Sequence, residues 1–302
     1  PPRDPPPSNA PDGRFDERGR NRGPDRMPDR MLGRGGPGGP GGGPGGGPGG
    51  GPPNFSDIAK IVEAELNEAS KLLGSLCDEF PENEEYQLAS AQVNRHRMQL
   101  FLFAGRGDAS QAAFELARAS MLKLVELHPN YPQYMFELAD TLSYASSRMQ
   151  SITTAEEEDY LQQAIRIGER LCEAFPAVPE YSTLLASSRD KFGTFARQHQ
   201  RWLDAENNFL LSAEGMEALH KQFPDNGYYQ LASVLTLNNL ARLYLDDNSG
   251  LSSLDKYSVC RDRLQAAIKS LGNGEKPVDP LSDRLTQRAR ETLRQLNQRL
   301  DN

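Results

Sequence analysis

The sequence predicts an all-α protein: an α-solenoid of antiparallel helix pairs behind a disordered N-terminal tail. Three observations carry this. A phrase ending in Tyr recurs at a fixed step, the apolar residues between its copies recur at helical spacing, and the first 53 residues hold almost nothing apolar.

The four copies of the phrase are EFPENEEY ending at Tyr86, LHPNYPQY at Tyr134, AFPAVPEY at Tyr181 and QFPDNGYY at Tyr229. Their prolines, Pro81, Pro129, Pro176 and Pro224, are 48, 47 and 48 residues apart. Other positions keep the same step. Leu76, Leu124, Leu171 and Leu219 stand five residues before the proline, Ala69, Ala117, Ala164 and Ser212 twelve before, and Ala91, Ala139, Ala186 and Val234 ten after. A tandem repeat of this length marks a stacked architecture.

Within a unit, Ala205, Phe209, Leu210, Ala213, Met216 and Leu219 fall at steps of three and four, as one face of a helix requires. Leu185, Ala186, Phe192 and Phe195 do the same before them. Pro lacks an N–H and disfavours helical backbone in the residue before it, so Phe-Pro ends one helix and redirects the chain. The flanking Phe and Tyr are expected to pack over the turn. The turn AGRGDAS at 104–110 supplies glycines and an Asp or Ser as N-cap; its Arg106-Gly107-Asp108 matches an integrin-recognition tripeptide, but a tight turn accounts for it. Thr154 with Glu157 fits a capping box at the next helix start.

This register places a helix at 56–79, then pairs at 84–104 with 109–127, 133–149 with 155–174, 179–198 with 201–222, and 227–245 with 253–271. A last helix at 281–300 turns Leu285, Ala289, Leu293, Leu296 and Leu300 inward and Arg and Gln outward, as a polar cap on a solenoid end does. Trp202 opens a second helix and is expected to pack between units.

Residues 1–53 contain eight Arg, six acids and the block GRGGPGGPGGGPGGGPGGGPP. Ordering a backbone costs about 1–2 kcal/mol per residue, which such a segment cannot offset by burial. It reads as a disordered linker, and its four-residue rhythm is not the three-residue period of collagen. Its net charge is +2 within a chain of −8, leaving about −10 for residues 54–302. That sign argues against nucleic acid as partner and against an anionic membrane. No apolar run is long enough to span a bilayer, and no signal peptide is visible. The compartment stays open, because an opening without Met reads as a processed or trimmed product before which an anchor could stand.

Candidate chemistry is sparse. Cys77 and Cys172 share a repeat position, four before the proline, where the fourth unit has His220; with Cys260 they read as small buried hydrophobes. The four His show no metal-ligand spacing, and no phosphate-binding glycine loop or nucleophile elbow occurs, so neither a cofactor, a metal nor an enzymatic activity is expected.

Gly193, Ala205 and Phe209, with a terminal Pro after them, stand at the spacing of the Gly, first Ala and aromatic of the tetratricopeptide repeat, and the chain resembles that family over about residues 56–271. A standard unit has about 34 residues. The extra length here falls close to whole helical turns, so the packing face is kept; Pro224 lies seven residues beyond the family's place, near two turns at about 3.6 residues each. Met98, Ser146 and Ala241 replace Gly193 in the other units. Leu171 to Tyr181, read as LxxxFPxxPEY, is similar to the long units of large bacterial proteins that carry such repeats beyond a Ser/Thr kinase domain or a membrane anchor.

The resemblance implies a right-handed solenoid whose first helices line a concave face, with polar positions that hold a ligand backbone. Carried onto this chain, these are Asn94, Arg97, Asp140, Ser143, Asp190, Asn238 and Asn239. The implied function is a non-catalytic protein–protein interaction scaffold that binds a peptide or helix on that face. The alternative is the regulatory or sensory region of a bacterial kinase-like or anti-sigma-like signalling protein whose catalytic or membrane part lies upstream.

Overall fold

Ten α-helices follow one another through residues 55–149, 152–272 and 280–301, the parts of the chain that a computed structural model describes. They are α1 (Phe55–Glu79), α2 (Glu84–Phe103), α3 (Gly107–Leu127), α4 (Pro132–Ser146), α5 (Thr154–Ala174), α6 (Pro179–Gln198), α7 (Trp202–Gln222), α8 (Gly227–Tyr244), α9 (Leu254–Gly272) and α10 (Pro280–Asp301). No strand occurs among the described residues. The expected tail and Gly/Pro linker, residues 1–53, lie outside them. Each helix packs on its chain neighbour, which makes the stack of antiparallel pairs that the repeat implied.

The repeated phrase is a helix stop, a β-turn and a helix start in eight residues. The N–H of the residue before each proline still donates to a helix carbonyl: Phe80 to Leu76, His128 to Leu124, Phe175 to Leu171 and Phe223 to Leu219, all at 2.8–2.9 Å. Its own carbonyl then accepts from three residues on, with Asn83, Tyr131, Val178 and Asn226 donating at 3.0–3.1 Å. Pro sits second in that turn, where its fixed φ is favoured. The next helix starts in one of two ways. Asn83 and Asn226 cap α2 and α8 through their side chains, whereas Tyr131 and Val178 have no side-chain cap and are followed by Pro132 and Pro179, which lack the orphan N–H. The aromatic pair closes over the turn in every copy. Ring centroids are 6.0 Å apart for Phe80 and Tyr86, 5.9 Å for His128 and Tyr134, 6.0 Å for Phe175 and Tyr181 and 5.9 Å for Phe223 and Tyr229.

Three local details differ from the sequence reading. The capping box at α5 uses Thr153 and Glu156, one residue earlier than Thr154 and Glu157. Both pairs satisfy the pattern, and the choice leaves Glu157 half-buried, its carboxyl pushed up by burial. At α3 the N-cap is Arg106, not Asp108 or Ser110; Gly105 turns the chain at φ +70°, and the Ser110 hydroxyl donates instead to the Met98 carbonyl at 3.1 Å. Arg106 is committed to the fold, with its guanidinium 2.6 Å from Glu63 and over the Phe101 ring. Finally, α4 ends at Ser146 rather than near 149, because the Ser146 and Ser147 hydroxyls donate to the carbonyls of Ser143 and Tyr144 and the chain tightens there.

The core runs along the stack. Phe114, Leu161 and Phe209, each fifteen residues before a turn proline, are all at most 1% exposed. Gly193 is glycine for lack of room: a Cβ there would lie 2.7 Å from two carbons of the Phe209 ring. Trp202 packs half-buried against the same core. At the end, α10 covers α9 and α8 with Ala289 and Leu296 fully buried and Leu293 and Leu300 packed beside them, and it leaves Arg284, Arg288, Arg290 and Arg294 outward. The opposite end is unlike it, since α1 shows Ile58, Ile61, Val62 and Leu72 on its exposed side.

Candidate partner-binding face

Successive first helices α4, α6 and α8 approach one another directly, and α10 takes the next place against α8; no pair of the second helices α3, α5, α7 and α9 comes as close. The first-helix side is thereby the inner side of the stack. Its polar residues form rungs between neighbours. The position fourteen residues after the turn proline holds Arg95, Ser143, Asp190 and Asn238, and the first three each reach the following first helix.

Arg95 on α2 places its two terminal nitrogens 2.5 Å from Glu137 and Asp140 of α4. Ser143 on α4 accepts from Ser188 of α6 at 3.1 Å and from the Lys191 ammonium at 2.9 Å, and its carbonyl takes a second ammonium bond at 3.0 Å. Asp190 on α6 accepts from the Asn239 amide of α8 at 3.1 Å and from the Thr236 hydroxyl. Ser188 and Thr236 share one repeat position, as do Lys191 and Asn239, so the last two rungs are the same device with different side chains. Asn238 ends the series, with its Oδ1 buried and without a hydrogen-bond partner among the described residues.

Burial sets the electrostatics of the rungs. It pushes the Asp190 carboxyl up against the lowering effect of Asn239, Thr236 and Lys191. It pulls the Lys191 ammonium down, with Asp140 opposing and Arg148 adding to the effect.

Asn94 and Arg97 are in a different place. Asn94, 1% exposed, accepts from Ser70 and from Arg97 at 2.7 Å and donates to the Ser90 carbonyl at 2.9 Å. Arg97 also reaches Asn67 and Ser70 at 2.9 Å. Both face α1 and tie it to α2. Thus the structure gathers Asp140, Ser143, Asp190 and Asn239 on the inner side, sets Asn238 beneath it, and separates Asn94 and Arg97 from the group. The sequence reading missed Arg95 and Lys191. The signal for Lys191 was available, since it occupies in α6 the repeat position that Asn239 occupies in α8.

Elsewhere the surface offers little for chemistry. A cleft of about 210 Å³ between α7, α8 and α9 is lined by Leu210, Leu240, Tyr244, Val259 and Cys260, and a broader depression of about 560 Å³ lies around Trp202 and Leu203. The three cysteines are free thiols. Cys77 and Cys172 are half-buried rather than buried as expected, and Cys260 is buried. Burial pushes all three up, Cys260 to about 12, which keeps them protonated and poorly nucleophilic. Among the described residues no group of three His, Cys, Asp or Glu is placed to hold a metal ion, and no helix is long and apolar enough to cross a membrane.

No protein-family model matches the chain, and no curated protein matches it. Among solved structures, the crystal structure of BtubC (BKLC) from P. vanneervenii is similar, at 12% identity over 81% of this chain and 92% of that one, with a TM-score of 0.48. Nothing about ligand or partner passes from it to this chain.

Proposed function

We propose that this chain is a non-catalytic protein-interaction scaffold of the tetratricopeptide-like kind, taking a peptide or helical segment of a partner along its first helices. The observation that carries the reading is the periodic inner face. His96, Tyr144, Lys191 and Asn239 stand one per repeat, fifteen residues after each turn proline, at least partly exposed on successive first helices. An extended ligand crossing these helices meets one side chain per repeat, which is how solenoids bind. The protonated thiols and the engagement of Asp190 and Lys191 in the rungs support a role without catalysis.

Site-specific photo-crosslinking of the full chain in its native lysate tests this. A photoreactive residue at Tyr144 is expected to capture a defined protein, and the same group at Glu126, outward on α3, is not. Equal capture at both positions would refute the assignment of the face. The regulatory or sensory alternative rests on the resemblance alone and draws no further support from the inner face.

A further inference from the structure

The first helices carry cations for which the fold supplies no carboxylate partner among the described residues. The whole sequence has a net charge of −8, yet four cations stand at the C-terminal halves of the first helices: Arg148 just past α4, Lys191 and Arg197 on α6, and Arg242 on α8. Most other arginines of the stack have acids at hand, with Arg95, Arg106, Arg189, Arg201 and Arg263 at 2.5–2.8 Å from a carboxylate. Among the described residues none of the four has such a partner. Arg148 is exposed and lies over the Tyr144 ring, with its guanidinium carbon 5.7 Å from the ring centroid. Arg242 is exposed, and the Arg197 Nε is buried with no acceptor. Lys191 is held by two oxygens of Ser143, which are neutral.

The nearest acids are engaged elsewhere. Asp140 is in the grip of Arg95 at 2.5 Å, Asp190 takes the Asn239 amide, and Asp246 accepts from the backbone and side-chain nitrogens of Asn248 at 3.1 Å. Beyond burial, which disfavours the charged form of both groups, Asp140 supports the Lys191 ammonium against Arg148, whereas at Arg197 the like charge of Arg242 outweighs Asp246. Grouping unpaired cations raises the energy of the free protein, and a ligand that brings carboxylates relieves it through charge-assisted hydrogen bonds.

We propose that the partner segment is acidic, and that Arg148, Lys191, Arg197 and Arg242 hold its carboxylates across α4, α6 and α8. This rests on the scaffold reading above and adds the chemistry of the ligand. A short peptide fits better than a nucleic acid. The cations are few, Arg148 near Lys191 and Arg242 near Arg197, with Asp140, Asp190 and Asp246 among them, and the acidic remainder of the chain repels a long polyanion.

The test uses the full chain and fluorescein-labelled dodecapeptide pools of randomised composition: an acidic pool of Asp, Glu, Leu and Tyr, a neutral pool with Ser and Gln in place of the acids, and a basic pool with Lys and Arg. Binding is read by fluorescence anisotropy at low and at physiological salt, beside a labelled single-stranded oligonucleotide. Wild type is expected to bind the acidic pool at least ~10-fold more tightly than the neutral one, less so at higher salt. The double variant Arg148→Glu/Arg242→Glu, at two exposed positions, is expected to lose that preference while keeping its helical circular dichroism. Lys123→Glu on α3 is the control and is expected to keep it. Equal binding of the neutral or basic pool, unchanged in the double variant, would overturn the acidic ligand and leave a peptide-binding face. An oligonucleotide bound more tightly than the acidic pool, with the same loss in the variant, would replace the peptide by a phosphate backbone. Binding of no probe would overturn both this inference and the scaffold reading beneath it.

Discussion

Replacing Gly193 with Ala tests the packing of the stack at its tightest point. The new Cβ would lie 2.7 Å from the Cδ1 and Cε1 atoms of Phe209 and 3.1 Å from its Cγ. Carbon atoms prefer about 3.5–4.0 Å, so the overlap with two ring atoms is about 1 Å. The ring has nowhere to withdraw, because Phe209 is fully buried at the centre of the core that joins α6, α7 and α8. Overpacking a filled core costs about 1–3 kcal/mol. Against this, Ala is about 1 kcal/mol better than Gly inside a helix. The expected net loss is about 1–2 kcal/mol, taking the upper half of the overpacking range for a ring that cannot move. Ala241 occupies the same repeat position in α8, so the cost tracks the Phe209 ring and not the helix. Urea unfolding followed by far-UV circular dichroism measures the loss. A second variant, Phe209→Leu, isolates its cause: with the smaller side chain in place, Gly193→Ala should cost about 1 kcal/mol less than it does in wild type. A Gly193→Ala protein as stable as wild type, or more stable, would refute the reasoning.

Two further outcomes follow from the rungs and caps. Burial raises the Asp190 carboxyl above its usual 3.8, so the folded state keeps this proton to higher pH than the unfolded chain does. The group's contribution is most favourable below the unfolded value and is lost as pH rises through it towards the folded one. Asp190→Asn cannot ionise, so its urea midpoint relative to wild type should climb between acid and neutral pH; a difference that stays constant would show the carboxyl to be unshifted. At the start of α5, Thr153→Ala should cost about 1 kcal/mol and Thr154→Ala close to nothing, because only Thr153 caps the helix. Thermal unfolding of the two variants decides it, and the reverse order would restore the register first read from the sequence.

Helix ends were legible because their causes are local. A Pro without an N–H stops a helix wherever it stands, and the four turn prolines set the ends of α1, α3, α5 and α7 within a residue of the expected places. The aromatic closure over each turn was legible for the same reason, since the five residues between Phe80 and Tyr86, or between their equivalents, fix the distance. The candidate site was legible only in part. Periodicity identified the first helices, and the resemblance drew attention to Asp140, Ser143, Asp190, Asn238 and Asn239, but it placed Asn94 and Arg97 with them although these face α1.

By itself, then, the sequence determined the number of repeats, the direction changes between helices and the apolar stripe that each helix buries. Each of these depends on residues within a few turns of one another. The tertiary structure alone decided which polar groups are committed to the fold and which are left without a partner among the described residues. Those choices join residues more than 40 positions apart, such as Arg95 with Asp140 and Ser143 with Lys191. A repeat fixes the position of a side chain on its helix, while its hydrogen-bond partner depends on how far the next helix is shifted and rotated, which packing sets. Lys191 and Asn239 share one repeat position, yet one carries a charge towards a Ser and the other an amide towards an Asp.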